Sequence, residues 1–304
     1  LATGALWWML KQSFSPKLST DDLSSQASRP TPSLPEASEG EAPSDALSIP
    51  PAPFEQILPE ELRSRPETHA LRDTPPAGMK DLYQNGGYSK ERLVDTALAL
   101  EKALTLCLLK DLCGQKPNPE HEYFSPDATP AHRLLNHALE LLRLAAEENP
   151  SLVKELPRDE IVKALDIPNA DSQKALIALY LNGPMDEAAY SEALSFAPKL
   201  VNEARASLFL SLQAPQLTTP ARRPRYLDTL EDSLKRDDTA TSRLIEHLSE
   251  LHLTEAEFRK TVAPLCRYAE SPATQQNWLQ TKYALEQSIR AHSYAVTADS
   301  LCGR

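Results

Sequence analysis

From residue 89 to the end of the chain, apolar residues recur three or four positions apart, the spacing that puts side chains on one face of an α-helix. Leu93, Ala97, Leu100, Leu104 and Leu108 form one such stripe. With Ser89 as a capping residue and Gly114 as a stop, they predict a helix over about 89–112. Thr129-Pro130 opens the next, because proline fits the first turn, where an N–H has no intrahelical partner to lose. Its stripe, Leu134, Leu135, Ala138, Leu141, Leu142 and Ala145, runs to Asn149-Pro150. Shorter helices are expected over about 151–156, 159–166, 171–182, 186–196 (behind Asp186) and 199–213. A stretch rich in Pro, Thr and Arg at 214–224 interrupts the pattern. Helices resume over about 225–235, 239–251 and 254–269, the last opened by Thr254 and Glu257 as a capping box. Ser271-Pro272 starts a long final helix in which Trp278, Leu285, Ile289, His292 and Val296 share a face. No run of period-two alternation competes with this pattern. The expected fold is all-α: antiparallel helical hairpins stacked as an α-solenoid-like or irregular multi-helix bundle, with sub-bundles at 77–213 and 214–304.

The beginning of the chain follows other rules. Residues 1–12 open with LATGALWWMLK, an apolar run too short to cross a hydrocarbon core, which needs roughly 20 residues. It is expected to be the tail of a membrane anchor or signal segment, with Trp7 and Trp8 at the interface and Lys11 reaching the headgroups. Residues 13–76 combine Pro, Ser, Ala and acid with almost no periodic apolar positions, so they should form a linker that buries too little surface to offset its ordering entropy. A short helix over 59–65, with Pro59 in its first turn, is the exception expected there.

Composition supports helix and narrows function. The chain has only 8 Gly but 26 Pro, which disfavours tight hairpins and phosphate-cradling loops. Of the net charge of −11, the 13–76 stretch carries five Lys/Arg against eleven Asp/Glu, leaving the helical part mildly acidic and mixed in sign. A nucleic-acid partner, which calls for a basic face, is excluded on that ground.

The string ALIALYLNGPMDEAAYSEALSFAP at 175–198 resembles part of a tetratricopeptide repeat: helix, Gly183, Asp-Glu-Ala, then Ala-Leu and a closing Pro198. The interval from Gly183 to Pro198 is about two residues shorter than in that family, and no second copy follows at a period near 34. The resemblance implies helical hairpins stacked around a partner-binding groove.

The four cysteines, Cys107, Cys113, Cys266 and Cys302, form an even set beside an expected anchor, which suggests an oxidising compartment. Cys107 and Cys113 would lie about 9 Å apart along an unbroken helix, so their pairing needs the helix to end near Lys110 and the chain to fold back. Cys266 and Cys302 can pair only if the last helix breaks, within 291–300, and the tail returns. The alternative for all four is free thiols in a cytosolic protein. Cys107, Cys113, His121, His132 and His137 also include zinc-ligand types, but C-x5-C is not a zinc spacing and His132 and His137 point about 140° apart on a helix. No metal or other cofactor is expected. There is no GxGxxG, Walker or GxSxG motif. Glu147, Glu148, Glu187 and Glu257 could be proposed as a lyase acid, yet nothing in the sequence builds an apolar pocket around them, and no catalytic residue is assigned.

These readings converge on a membrane-tethered helical scaffold facing the periplasm or exterior that binds a protein or peptide. The alternatives are a helical enzyme or metal protein using 107–137, and a cytoplasmic interaction protein with free thiols. A groove near 214–224 is the expected binding surface, with Phe209 and Tyr226 as aromatic anchors and Arg222, Arg223 and Arg225 facing an acidic partner. In the competing reading, Phe209 and Tyr226 pack the junction and the arginines cap neighbouring helix ends.

Overall fold

The helices begin well before the expected boundary at residue 77. Pro59 leads a short α1 (Glu60–Arg63), and Pro66, in the first turn, starts α2 (Pro66–Asp73) inside the stretch expected to be linker. Leu58, Leu62 and Leu71 are buried, so these residues join the core instead of spacing it from the N-terminus. The computed structural model describes residues 58–110, 112–113, 129–149, 156–270 and 275–303. The expected anchor with Trp7, Trp8 and Lys11, the linker up to residue 57, His121, the 151–156 helix up to residue 155 and the Ser271-Pro272 start lie outside them. Among the described residues there is no strand.

A turn of 3-10 helix at Pro76–Gly78 leads into α3 (Met79–Asn85). Gly86 and Gly87 then reverse the chain: a Cβ on Gly86 would meet the Leu82 carbonyl oxygen at 2.4 Å, and Gly87 sits at φ 76°. Next come α4 (Lys90–Leu109), capped by Ser89, and α5 (Pro130–Glu148), capped by Thr129. Six helices follow: α6 (Arg158–Ala164), α7 (Ala170–Leu181), α8 (Glu187–Ser195), α9 (Asn202–Leu212), α10 (Arg223–Leu234) and α11 (Thr239–Glu246). The chain closes with α12 (Glu255–Val262), α13 (Arg267–Glu270), α14 (Gln275–His292) and α15 (Ala298–Leu301).

The helices pack as two interleaved rows. In the first, α4 packs on α5, α5 on α7, α7 on α9, α9 on α11 and α11 on α14. In the second, α6 and α8 lie against α7, while α10 packs on α11 and α12. The consecutive pairs α4/α5, α6/α7, α7/α8 and α10/α11 pack on each other, and from α5 to α11 the first row joins every second helix. Packing is continuous across 214–222, since α9, before that stretch, seats on α11, after it. The largest fully buried side chain among the described residues is Arg205 on α9, 2% exposed, whose guanidinium donates to Asp238 Oδ1 at 2.9 Å and Oδ2 at 3.1 Å, to Thr241 Oγ1, and to the Ala197 and Leu200 carbonyls. Asp238 is also the N-cap of α11, accepting from Thr241 N, so one charge pair fixes both the start of α11 and its seat on α9.

Several helix ends depart from the periodic pattern for identifiable reasons. The helix expected at 199–213 starts at Asn202, where the buried Gln173 side chain accepts the Val201 N–H at 2.9 Å. The helix expected over 254–269 is broken after Val262 by a 3-10 turn at Ala263–Cys266 that holds Pro264. The final helix stops at His292 rather than running through Val296, because Ser293 turns back at φ 56° and Tyr294 N donates to Ile289 O.

Candidate functional site

The residues expected to meet a partner near 214–224 are held within the protein. Phe209 and Tyr226 are fully buried, their rings 5.7 Å apart edge to face, and the Tyr226 hydroxyl donates to the Phe209 carbonyl at 3.2 Å. They are core residues joining α9 to α10, so the expected aromatic anchors are absent from the surface. Arg222 pairs with Glu187 at 2.5 Å, donates to the Leu217 and Met185 carbonyls, and lies over the Tyr190 ring. Arg223 makes a two-pronged pair with Glu257, 2.9 Å on each prong, and donates to the His252 carbonyl. Both arginines stitch loops together, which leaves them poorly placed to receive an acidic partner. Arg225 is exposed, with one contact to Ser191 Oγ.

The cysteines stand at disulfide distance in both pairings. The Cα atoms of Cys107 and Cys113 are 5.4 Å apart, and those of Cys266 and Cys302 are 5.2 Å apart. The first pair meets because α4 ends at Leu109 and the chain folds back, with Leu112 N donating to Cys107 O at 2.9 Å. The second meets because α14 breaks at Ser293 and α15 returns along it, tied by Lys282 to Asp299 and by Glu286 accepting the Ala298 N–H. His132 and His137 serve helix packing. The His132 ring shares a 2.8 Å hydrogen bond with the Thr129 hydroxyl, and His137 Nδ1 lies 2.7 Å from the Leu71 carbonyl oxygen, to which it can only donate. Burial lowers both from the ordinary histidine value and so favours the neutral ring. Among the described residues, no cluster of three or more His, Cys, Asp or Glu could hold a metal ion.

The carboxylates considered for acid chemistry are all ion-paired: Glu147 with Arg143, Glu148 with Lys90, Glu187 with Arg222 and Glu257 with Arg223. The Arg223 guanidinium holds Glu257 down at about 2, although its partial burial pushes the other way. A general acid at neutral pH requires the opposite shift. That shift belongs to a residue the sequence reading passed over. Glu101, 1% exposed, is pushed up to about 7 by burial, opposed by a 3.0 Å hydrogen bond from Thr105 Oγ1 and reinforced by the Glu160 charge. The signal was present, because Glu101 falls on the α4 stripe between Ala97 and Leu104. It lies buried on the α4 face that packs against α5, where its ionised form costs stability.

The surface offers a different candidate. On the outward side of α4, Leu106 is 52% exposed and Leu109 43%, with the half-buried Leu98, Ala99 and Ala103 continuing the face toward the N-terminus, and Leu112, just past the helix end, is 54% exposed. An amphipathic surface helix normally turns polar side chains outward, and α4 is apolar on both sides of its last turns. The Cys107–Cys113 pair and the Leu112-to-Cys107 backbone bond fix this end in place. Leu279 and Tyr283, one turn apart on α14, are the other large exposed apolar side chains among the described residues.

The fold and these surfaces together define a disulfide-geometry, all-α bundle of stacked hairpins with an apolar outward face on α4. No protein-family model matches the chain, and no curated protein or solved structure is significantly similar to it.

Proposed function

We propose that this chain is a non-catalytic helical scaffold, tethered to a membrane through its N-terminal segment and facing the periplasm or exterior, that captures a protein or peptide partner. The observation that carries the reading is the outward leucine face of α4, whose C-terminal end is closed by the Cys107–Cys113 pair. A contiguous apolar surface that the fold leaves uncovered is a cost in solution and a gain in a complex. Support for the compartment comes from two pairs of cysteines at disulfide distance, together with the apolar LATGALWWML run and the Pro/Ser-rich stretch behind it. Ion pairing of the carboxylates considered for catalysis favours a binding role over an enzymatic one.

The reading is tested in the native host with the full chain, by a photo-crosslinking amino acid at Leu109 combined with cell fractionation and thiol alkylation. A discrete protein adduct, membrane fractionation, and cysteines that resist alkylation until reduced are expected. A soluble chain with four alkylatable thiols would move it to the cytoplasm, and absence of any adduct from Leu109, Leu279 or Arg225 would remove the scaffold role.

A further inference from the structure

We propose that the outward face of α4 docks an amphipathic partner helix whose apolar stripe is bordered by acidic side chains; the inference rests on the scaffold reading above and names its partner's chemistry. Leu106 lies at the centre of the exposed face. Lys102 sits four residues before it and Lys110 four after, each about one turn away and both exposed. Neither lysine makes an ion pair among the described residues, whereas many other Lys and Arg side chains on this surface do. These two ammonium groups, without an ion pair among the described residues, bracket Leu106 at a separation of about 12 Å along the axis. A partner helix laid antiparallel or parallel to α4 presents carboxylates two turns apart at that same spacing, while its leucines meet Leu106, Leu109 and Leu112. Charge at the border of such a contact sets orientation and partner choice more than affinity.

The same charges argue against two other occupants. A second copy laid face to face in parallel would oppose Lys102 and Lys110 to their own counterparts. An anionic lipid surface covering the whole helix would meet Glu91 and Asp95, exposed farther along α4, in a chain of net charge −11. A helix that covers only the last turns meets neither problem.

The experiment uses the full chain and two synthetic helical peptides with identical leucine stripes, one bordered by glutamates and one by lysines, with binding followed by fluorescence anisotropy. The acidic peptide should bind at least about tenfold more tightly than the basic one. K102E/K110E should reverse that order, and L106D/L109D should abolish binding of either peptide with an unchanged helical circular dichroism spectrum. The charge-swap variant keeps the test open if the leucine variant misfolds, because both lysines are exposed. Equal binding of the two peptides, or no binding while the Leu109 crosslink persists, overturns the acidic-helix assignment and leaves the scaffold reading standing. Leucine-dependent binding to vesicles containing anionic lipid without peptide binding, or leucine-dependent self-association, would overturn it in favour of those occupants. Loss of both the peptide signal and the crosslink would take the scaffold reading with it.

Discussion

Glu101 lets the energetic cost of one buried carboxyl be measured directly. It is 1% exposed, its only described hydrogen-bond donor is the neighbouring Thr105 hydroxyl, and no cation pairs with it among the described residues. Burial penalises the ionised form and lifts the group from the usual 4.5 to about 7. A folded-state value above the unfolded one means that the native protein holds this proton more tightly. Its contribution is therefore complete below about pH 4.5 and is lost as pH rises through about 7. A rise of that size corresponds to about 3 kcal/mol, of which about 2–3 kcal/mol falls between pH 5 and pH 8. E101Q keeps the shape and the acceptor for Thr105 but cannot ionise. Urea denaturation of both proteins at the two pH values isolates the effect, because every other titrating group is common to both. Relative to wild type, the variant should gain about 2–3 kcal/mol on going from pH 5 to pH 8, or roughly 5–10 °C in melting temperature for a unit of this size. Parallel pH profiles for the two proteins would refute the reasoning and would mean that Glu101 is solvated or paired.

R205A removes the buried guanidinium that ties the exposed Asp238 to the Ala197 and Leu200 carbonyls, and should cost about 2–3 kcal/mol by denaturant titration. Replacing Cys266 and Cys302 by serine should lower stability by about 3–4 kcal/mol if they are joined, from the entropy of a loop spanning 36 residues. Hydrogen exchange should then quicken over 293–303, and an unchanged exchange rate there would mean that Lys282 and Glu286 suffice to hold the tail. R223E should lower the melting temperature, since it sets two carboxylates together; a fully stable variant would show that its pair with Glu257 is dispensable.

The sequence alone determined the elements whose signals are local. Ser89, Thr129, Asp186 and Thr254 were legible as caps because each side chain accepts from a backbone N–H three residues on, within reach of a short window. The stripes of α4 and α5 were legible for the same reason, since a helix repeats every 3.6 residues and a core-facing side reads directly as spacing. Even α2 left a trace, with Pro66 in its first turn, but eight residues inside a proline-rich stretch carry too little periodicity to outweigh their surroundings. Tertiary structure decided what depends on residues far apart in the chain. The sequence left Arg222 and Arg223 between an acidic partner and neighbouring helix ends, and it named neither Glu187 nor Glu257, 35 and 34 residues away, which the fold brings against them. Whether Phe209 and Tyr226 anchor a partner or pack the junction was open in the sequence, and their burial between α9 and α10 gives the packing answer. Cys266 and Cys302 could meet only once Ser293 had reversed the chain, a backbone conformation that no spacing rule specifies. The leucine face of α4 was hidden because its apolar residues fit the same helical period as the core stripe. Only packing showed which of them α5 covers and which it leaves outside.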